Sequence, residues 1–233
     1  MTVKLPRDLI VELDTLFLRL SKGDVDERGA AMSRLISYEQ AGKLPLESIL
    51  EMAEEDNPAV SMYAISALGR SRNPRAVSKL LEMAQAHRAG NALFLETIID
   101  ALGDAGDPEA TALLLEFLGI KLGWKNKLLG KLSFKKDELS EEEVQRRDAL
   151  ALPIVRALEK IHDPRSAEAL WMLLDSDDPL VRWHAIQTVL KCELTEFVAK
   201  LRGFAEHDTS PLVKEMAQIA LAKLETIPQH LDN

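Results

Sequence analysis

An acid or amide followed by proline recurs before successive apolar runs of this chain, and its spacing constrains the fold more than any other feature. Asn57-Pro58 and Asn73-Pro74 both lie in DNPAVSMYAISALGRSRNPRAVSKLLEM, and the phrase returns as Asp107-Pro108, Asp163-Pro164 and Asp178-Pro179. Asp or Asn caps a helix by accepting bonds from its free first N–H groups, and Pro suits the first helical position because its missing N–H had no partner there. Each phrase therefore marks a helix start. Aligning the following apolar runs gives a column of Leu35, Leu68, Leu102, Leu158, Val189 and Leu221, with gaps of 33, 34, 56, 31 and 32 residues. Met32, Ile65, Ile99, Val155 and Ile186 keep the same register, as do Ala31, Ala64, Ile98, Ile154, Ala185 and Ala217. A period near 33 with one outlier predicts a stacked array of helix pairs. Asn57-Pro58 and Asp178-Pro179 are expected to open first helices, and Asn73-Pro74, Asp107-Pro108 and Asp163-Pro164 second helices. Gly69, Gly103 and Gly106 are expected in the turns between them.

Composition agrees with a helical, water-soluble reading. Of 233 residues 46% are hydrophobic, 29% charged and only 5% aromatic, and Ala, Leu, Glu and Lys, which lose little rotamer freedom in a helix, are abundant. The net charge of −9 repels phosphate backbones and anionic lipid, so nucleic acid and membrane are disfavoured as partners. The single cysteine, Cys192, permits neither an internal disulfide nor a thiolate cluster, which favours a reducing compartment. The N-terminal stretch carries acids where a signal peptide needs an apolar core, and no run approaches the roughly 18 apolar residues of a membrane span. The expected location is cytoplasmic.

The pattern D-P-x-V-R-x-x-A…A-L-G…D-P-R-A, carried best by NPAVSMYAISALGRSRNPRAV and DPLVRWHAIQTVL, resembles the HEAT-like repeats named after phycobilisome lyases. The resemblance spans about residues 24 to 225. It implies an all-α fold, a right-handed, armadillo-like α-solenoid (α-α superhelix) of about six helix pairs with one insertion. The expected organisation is a single domain: a capping helix within 1–23, repeats over 24–118, an insertion over 119–143, repeats over 144–225 and a tail over 226–233. Gln218 stands where the earlier units have Ile or Val, as expected where no further unit needs covering.

The insertion accounts for the outlying gap. From Lys121 to Lys136 it carries six lysines (Lys121, Lys125, Lys127, Lys131, Lys135 and Lys136) and no acid, with Trp124 and Phe134 interleaved, and an acidic run follows at once. Long insertions in arrays map to one face and often bind, so these residues are expected to contact a partner. The bland alternative is a solvated loop whose lysines pair with the neighbouring acids. Ser140 and Glu143 have capping-box spacing, so a helix is expected to start near Glu141 and to bend or break at Pro153.

The second helices align as ILEM, LLEM, LLEF, LWML and LRGF, with one column reading Glu51, Glu82, Glu116, Met172, Gly203. In HEAT arrays the second helix lines the concave side, so the resemblance implies an acidic ridge there, ending at Trp171 and Met172, that suits a basic segment of another protein. The alternative is that glutamate is a good helix former on an exposed face. No P-loop, nucleophile elbow, dinucleotide glycine pattern or His-x-x-x-His spacing occurs, and the His-Glu pairs of HEAT-repeat hydroxylases are missing. Neither metal nor cofactor is expected, and Cys192 in VLKCEL reads as an inert thiol. The expected function is a non-catalytic scaffold or adaptor. The competing one, implied by the family's name, is a phycobilin-lyase-like chromophore-handling protein or enzyme subunit, for which Trp171, Met172, Trp183 and His184 would have to converge.

Overall fold

The computed structural model describes residues 6–120 and 140–227, and every regular element among them is helical. The helices are α1 (Arg7–Lys22), α2 (Val25–Gln40), α3 (Leu46–Ala53), α4 (Pro58–Ser71), α5 (Pro74–Ala86), α6 (Ala92–Ala105), α7 (Glu109–Phe117), α8 (Glu141–Ile161), α9 (Ala167–Leu173), α10 (Pro179–Lys191), α11 (Val198–His207) and α12 (Pro211–Leu224). Short 3-10 turns, Pro164–Ser166 and Thr195–Phe197, lead into α9 and α11. The fold class is an all-α solenoid; in the repeat order α2, α4, α6, α8, α10 and α12 stand as first helices and α3, α5, α7, α9 and α11 as second helices. The residues Lys121 to Lys136 of the insertion lie outside the described residues.

The Asx-Pro phrases act as the spacing requires. The side chains of Asn57, Asn73, Asp107, Asp163 and Asp178 each accept a hydrogen bond from the backbone N–H two residues on, at 2.8–3.1 Å. Asp24 and Glu27 form a full capping box at the start of α2. Leu35, Leu68, Leu102, Leu158 and Val189 of the first-helix column are fully buried, at 0% exposure, while Leu221, its last member, is half-buried. The equivalent second-helix column, Ile49, Leu80, Leu114, Leu170 and Leu201, is buried as well. Each such side chain contributes about 1.5–3 kcal/mol on leaving water.

Contacts divide the chain into two compact units, Met1–Ala105 and Gly106–Asn233. In the first, α4 is the hub, packing on α3, α5, α6 and also α1. In the second, α10 packs on α8, α9 and α12, and α11 on α12.

Gly69 and Gly103 do not sit in turns. Both lie inside first helices, in α4 and α6, and are buried. A Cβ on Gly69 would stand 2.5 Å from the Ala101 carbonyl oxygen, so this glycine lets α4 and α6 approach backbone to backbone. The turn position that needs a left-handed backbone comes later, just before the second helix. It is filled by Gly42 (φ 66°) and Gly106 (φ 68°), but also by Arg72 (φ 50°), His162 (φ 57°) and Glu193 (φ 54°). Pro153 does not interrupt α8, which runs unbroken for 21 residues with the proline buried inside it.

Candidate partner-binding surface

In the first unit the second helices α3 and α5 bury one stripe each: Ile49, Met52 and Ala53 on α3, and Ala76, Val77, Leu80, Met83 and Ala84 on α5. Helical geometry turns Glu47 and Glu51 of α3 away from that stripe, and Glu54 follows at the helix's C-terminal cap. On α5 the residues so turned are Arg75, Lys79 and Glu82. α3 and α5 are neighbours, and their side chains interlock as a charge ladder. Arg75 donates to Glu47 at 2.8 Å; Lys79 donates to Glu54 and, at 3.3 Å, to Glu82. The Arg75 hydrogen bond is the main reason the Glu47 carboxyl lies below the usual carboxylate range, and Glu54 is the main reason the Lys79 ammonium lies above its own.

The ladder holds three carboxylates, Glu47, Glu54 and Glu82, against two cations, and Glu51 beside it adds a fourth, so the surface keeps an acidic surplus. Glu82 and Glu54 remain 72% and 64% exposed despite their ion pairs. Glu51 is exposed and has no ion-pair partner among the described residues. The two expected glutamates of this unit thus share one surface. The ladder partners Glu47, Arg75, Glu54 and Lys79 were not singled out from sequence, although Glu47 and Glu54 lie four before and three after Glu51, and Lys79 and Arg75 three and seven before Glu82, which places them on those faces.

The second unit presents different chemistry at the equivalent positions. Glu116 is exposed on α7, beside the buried Leu114, Leu115 and Phe117. Trp171 and Met172 are half-buried on α9. Trp171 stacks on Phe197 with ring centres 4.5 Å apart at 25°, and the Lys200 ammonium lies 4.9 Å from its ring centre. Lys200 also donates to the Trp171 carbonyl at 3.0 Å and pairs with Asp175 at 2.8 Å. Trp171 is thus a packing residue. Gly203 on α11 has open space where a side chain would stand.

Trp183 and His184 belong to another cluster. His184 Nδ1 is 2.6 Å from Glu159 Oε2, Lys191 donates to Glu159 Oε1 at 2.9 Å, and the Gln187 amide, with its NH2 turned to the carboxylate, is 2.6 Å from the same oxygen. Trp183 meets the His184 ring edge-on at 4.8 Å. Burial alone would raise the Glu159 carboxyl, but the bonds from His184 and Lys191 outweigh it and hold it low. Trp171 packs on Phe197 and Lys200, whereas Trp183 and His184 pack on each other and His184 bonds to Glu159, so the aromatic residues named for a chromophore pocket take part in two different clusters.

Among the described residues no cluster of three His, Cys, Asp or Glu is placed to hold a metal ion. Burial pushes the half-buried Cys192 thiol above its usual value, which disfavours the reactive thiolate. No helix among the described residues is long and apolar enough to cross a membrane.

Arg182 of VRWHA is structural. It is 8% exposed, donates to the Ser176 and Asp177 carbonyls at 2.8 and 3.0 Å, and forks onto Asp208 at 2.9 and 2.8 Å. It therefore ties the preceding turn to the start of the next unit. The family model of HEAT repeats matches residues 46–122 and 142–222, more than half of the chain. No curated protein matches it.

Proposed function

Since this chain belongs to the HEAT-repeat family, we propose that it is a non-catalytic scaffold that binds another protein through a basic segment laid along the α3/α5 ridge. HEAT repeats commonly serve as interaction scaffolds, and a stacked array supplies a surface rather than a reaction centre. One observation carries the choice of partner: the charge ladder keeps an acidic surplus around Glu51 and Glu82 on helices fixed by a fully packed core. Pre-positioned, solvated carboxylates attract lysine and arginine at little desolvation cost and set orientation more than raw affinity. The basic, aromatic-bearing stretch from Lys121 to Lys136 supplies a second contact of opposite sign, on the evidence of its sequence.

The test is binding of fluorescent peptides of equal length, one lysine-rich and one glutamate-rich, to the parent chain and to a chain with Glu51→Lys and Glu82→Lys. The parent is expected to hold the basic peptide, more weakly as salt rises, and the variant to lose it by about tenfold or more. Equal binding of both peptides, or no change on charge reversal, overturns the reading. Replacing Lys121 to Lys136 with a neutral linker tests the second contact separately, by its effect on the acidic peptide.

A further inference from the structure

Helix α1 carries an exposed seam that the rest of the array does not use. Its inner face is ordinary, with Leu13, Leu16 and Leu20 buried. On its outer face Asp8, Val11, Thr15, Leu18 and Lys22 follow at intervals of three and four, and all five are exposed. That is the spacing of a coiled-coil seam. Val11 is 61% and Leu18 57% exposed, with Ile10 and Val25 exposed beside them. A groove of about 490 Å3 runs along the seam between α1 and α2, lined by Val11, Thr15, Leu16 and Ala30, with Glu12 and Arg34 paired across it at 3.3 Å.

We infer that this seam is a homodimer interface in which α1 packs antiparallel against α1 of a second copy about a two-fold axis at Thr15. The order of the residues names the occupant. Read from either end, the seam runs charge, aliphatic, threonine, aliphatic, charge, and the two charges are opposite. An antiparallel pair sets Asp8 against Lys22 of the partner subunit and brings Val11, four places before the axis, to within one residue of register with Leu18 of the partner subunit, three places after it, twice over by symmetry, with threonine meeting threonine at the axis. A parallel pair would oppose like charges at both ends. Thr15 fits the axis because it is small and its hydroxyl already donates to the Val11 carbonyl at 3.0 Å, so burying it strands no donor. Neither Asp8 nor Lys22 has an ion-pair partner among the described residues. An acid early and a base late in a helix also suit its dipole, but that accounts for the ends of the seam and not for Val11 and Leu18 between them.

The interface is one helix pair plus the groove, at the small end of stable interfaces, so association depends on concentration. Sedimentation velocity of the full chain is expected to show the mass rising from one chain to two with concentration. Val11→Glu should hold it at one chain with unchanged helicity by circular dichroism. Asp8→Lys and Lys22→Asp should each weaken self-association, an equimolar mixture of those two variants should form a heterodimer more readily than either alone dimerises, and the double swap within one chain should restore the homodimer. The charge-swap pattern distinguishes an interface from a folding defect, since each single change faces solvent in one chain. A one-chain mass at every concentration overturns the inference, as does a dimer indifferent to Val11→Glu or a mixture that forms no heterodimer.

Discussion

The residue three places after each first-helix proline does one job with three side chains. Ser61 donates to the Ala53 carbonyl at 2.7 Å, Arg182 to Ser176 and Asp177, and Lys214 to the Glu206 carbonyl at 3.2 Å. In every case a donor satisfies carbonyls that the preceding helix end or turn leaves open. Arg182 does most, because it also neutralises Asp208, whose side chain is 4% exposed. Arg182→Ala strands that carboxylate and should cost about 3 kcal/mol in urea unfolding, whereas Ser61→Ala should cost about 1 kcal/mol. Burial by itself would raise the Asp208 carboxyl, but the Arg182 guanidinium and the Ser210 N–H outweigh it and hold it below the ordinary range. A group whose pKa is lower folded than unfolded lends stability that is complete above the unfolded value, near 4, and is lost as pH falls through the folded one. Asp208→Asn should therefore destabilise the chain strongly near neutrality and progressively less as pH falls below about 4, a trend that urea midpoints over a series of acid pH values will read. The caps and the Arg182 position were legible in the sequence, because capping is chemistry between residues two or three apart. Asp208 as partner was not, since it lies 26 positions away and is met only when the next unit stacks.

At the scale of elements, glycines separate what pattern reveals from what packing decides. Gly69 and Gly203 both sit in helices, yet one is pressed on a neighbouring backbone and the other faces open space. Gly69→Ala should destabilise by about 1–3 kcal/mol through overpacking of α4 against α6, while Gly203→Ala should stabilise by about 0.5–1 kcal/mol through helix propensity. Opposite shifts in melting temperature are the expected result, and shifts of the same sign would contradict the close approach of α4 and α6. His162, exposed and left-handed at φ 57°, should be bettered by glycine, with His162→Gly gaining up to about 1 kcal/mol in the same melts. Reading A-L-G as a turn signal failed at Gly69 and Gly103 because glycine serves either a positive φ or a close approach, and single-sequence pattern does not separate the two.

For the whole molecule, charge is the determinant. The net charge of −9 includes the six lysines between Lys121 and Lys136, so the remaining surface is more acidic than the total suggests. If the α3/α5 ridge holds its partner by solvated charge, raising salt from about 0.05 to 0.5 M should weaken basic-peptide binding severalfold, measured by fluorescence anisotropy, and Glu51→Gln with Glu82→Gln should flatten that dependence. Self-association through α1 should respond less to salt, since Val11 and Leu18 provide its centre.

Periodicity, caps and core columns were determined by sequence alone, because a repeat writes the same local rules again and again: which residue starts a helix, which faces inward, how far to the next copy. That is why Leu35, Leu68, Leu102, Leu158 and Val189 could be aligned before being seen buried. Only the tertiary structure decided which charges meet. Glu51 and Glu82 were visible as a column, but that Arg75 and Lys79 reach across from α5 to α3, that Lys200 covers Trp171, and that Val11 and Leu18 on α1 stay open to water all depend on distances between helices, which no spacing along a single chain encodes.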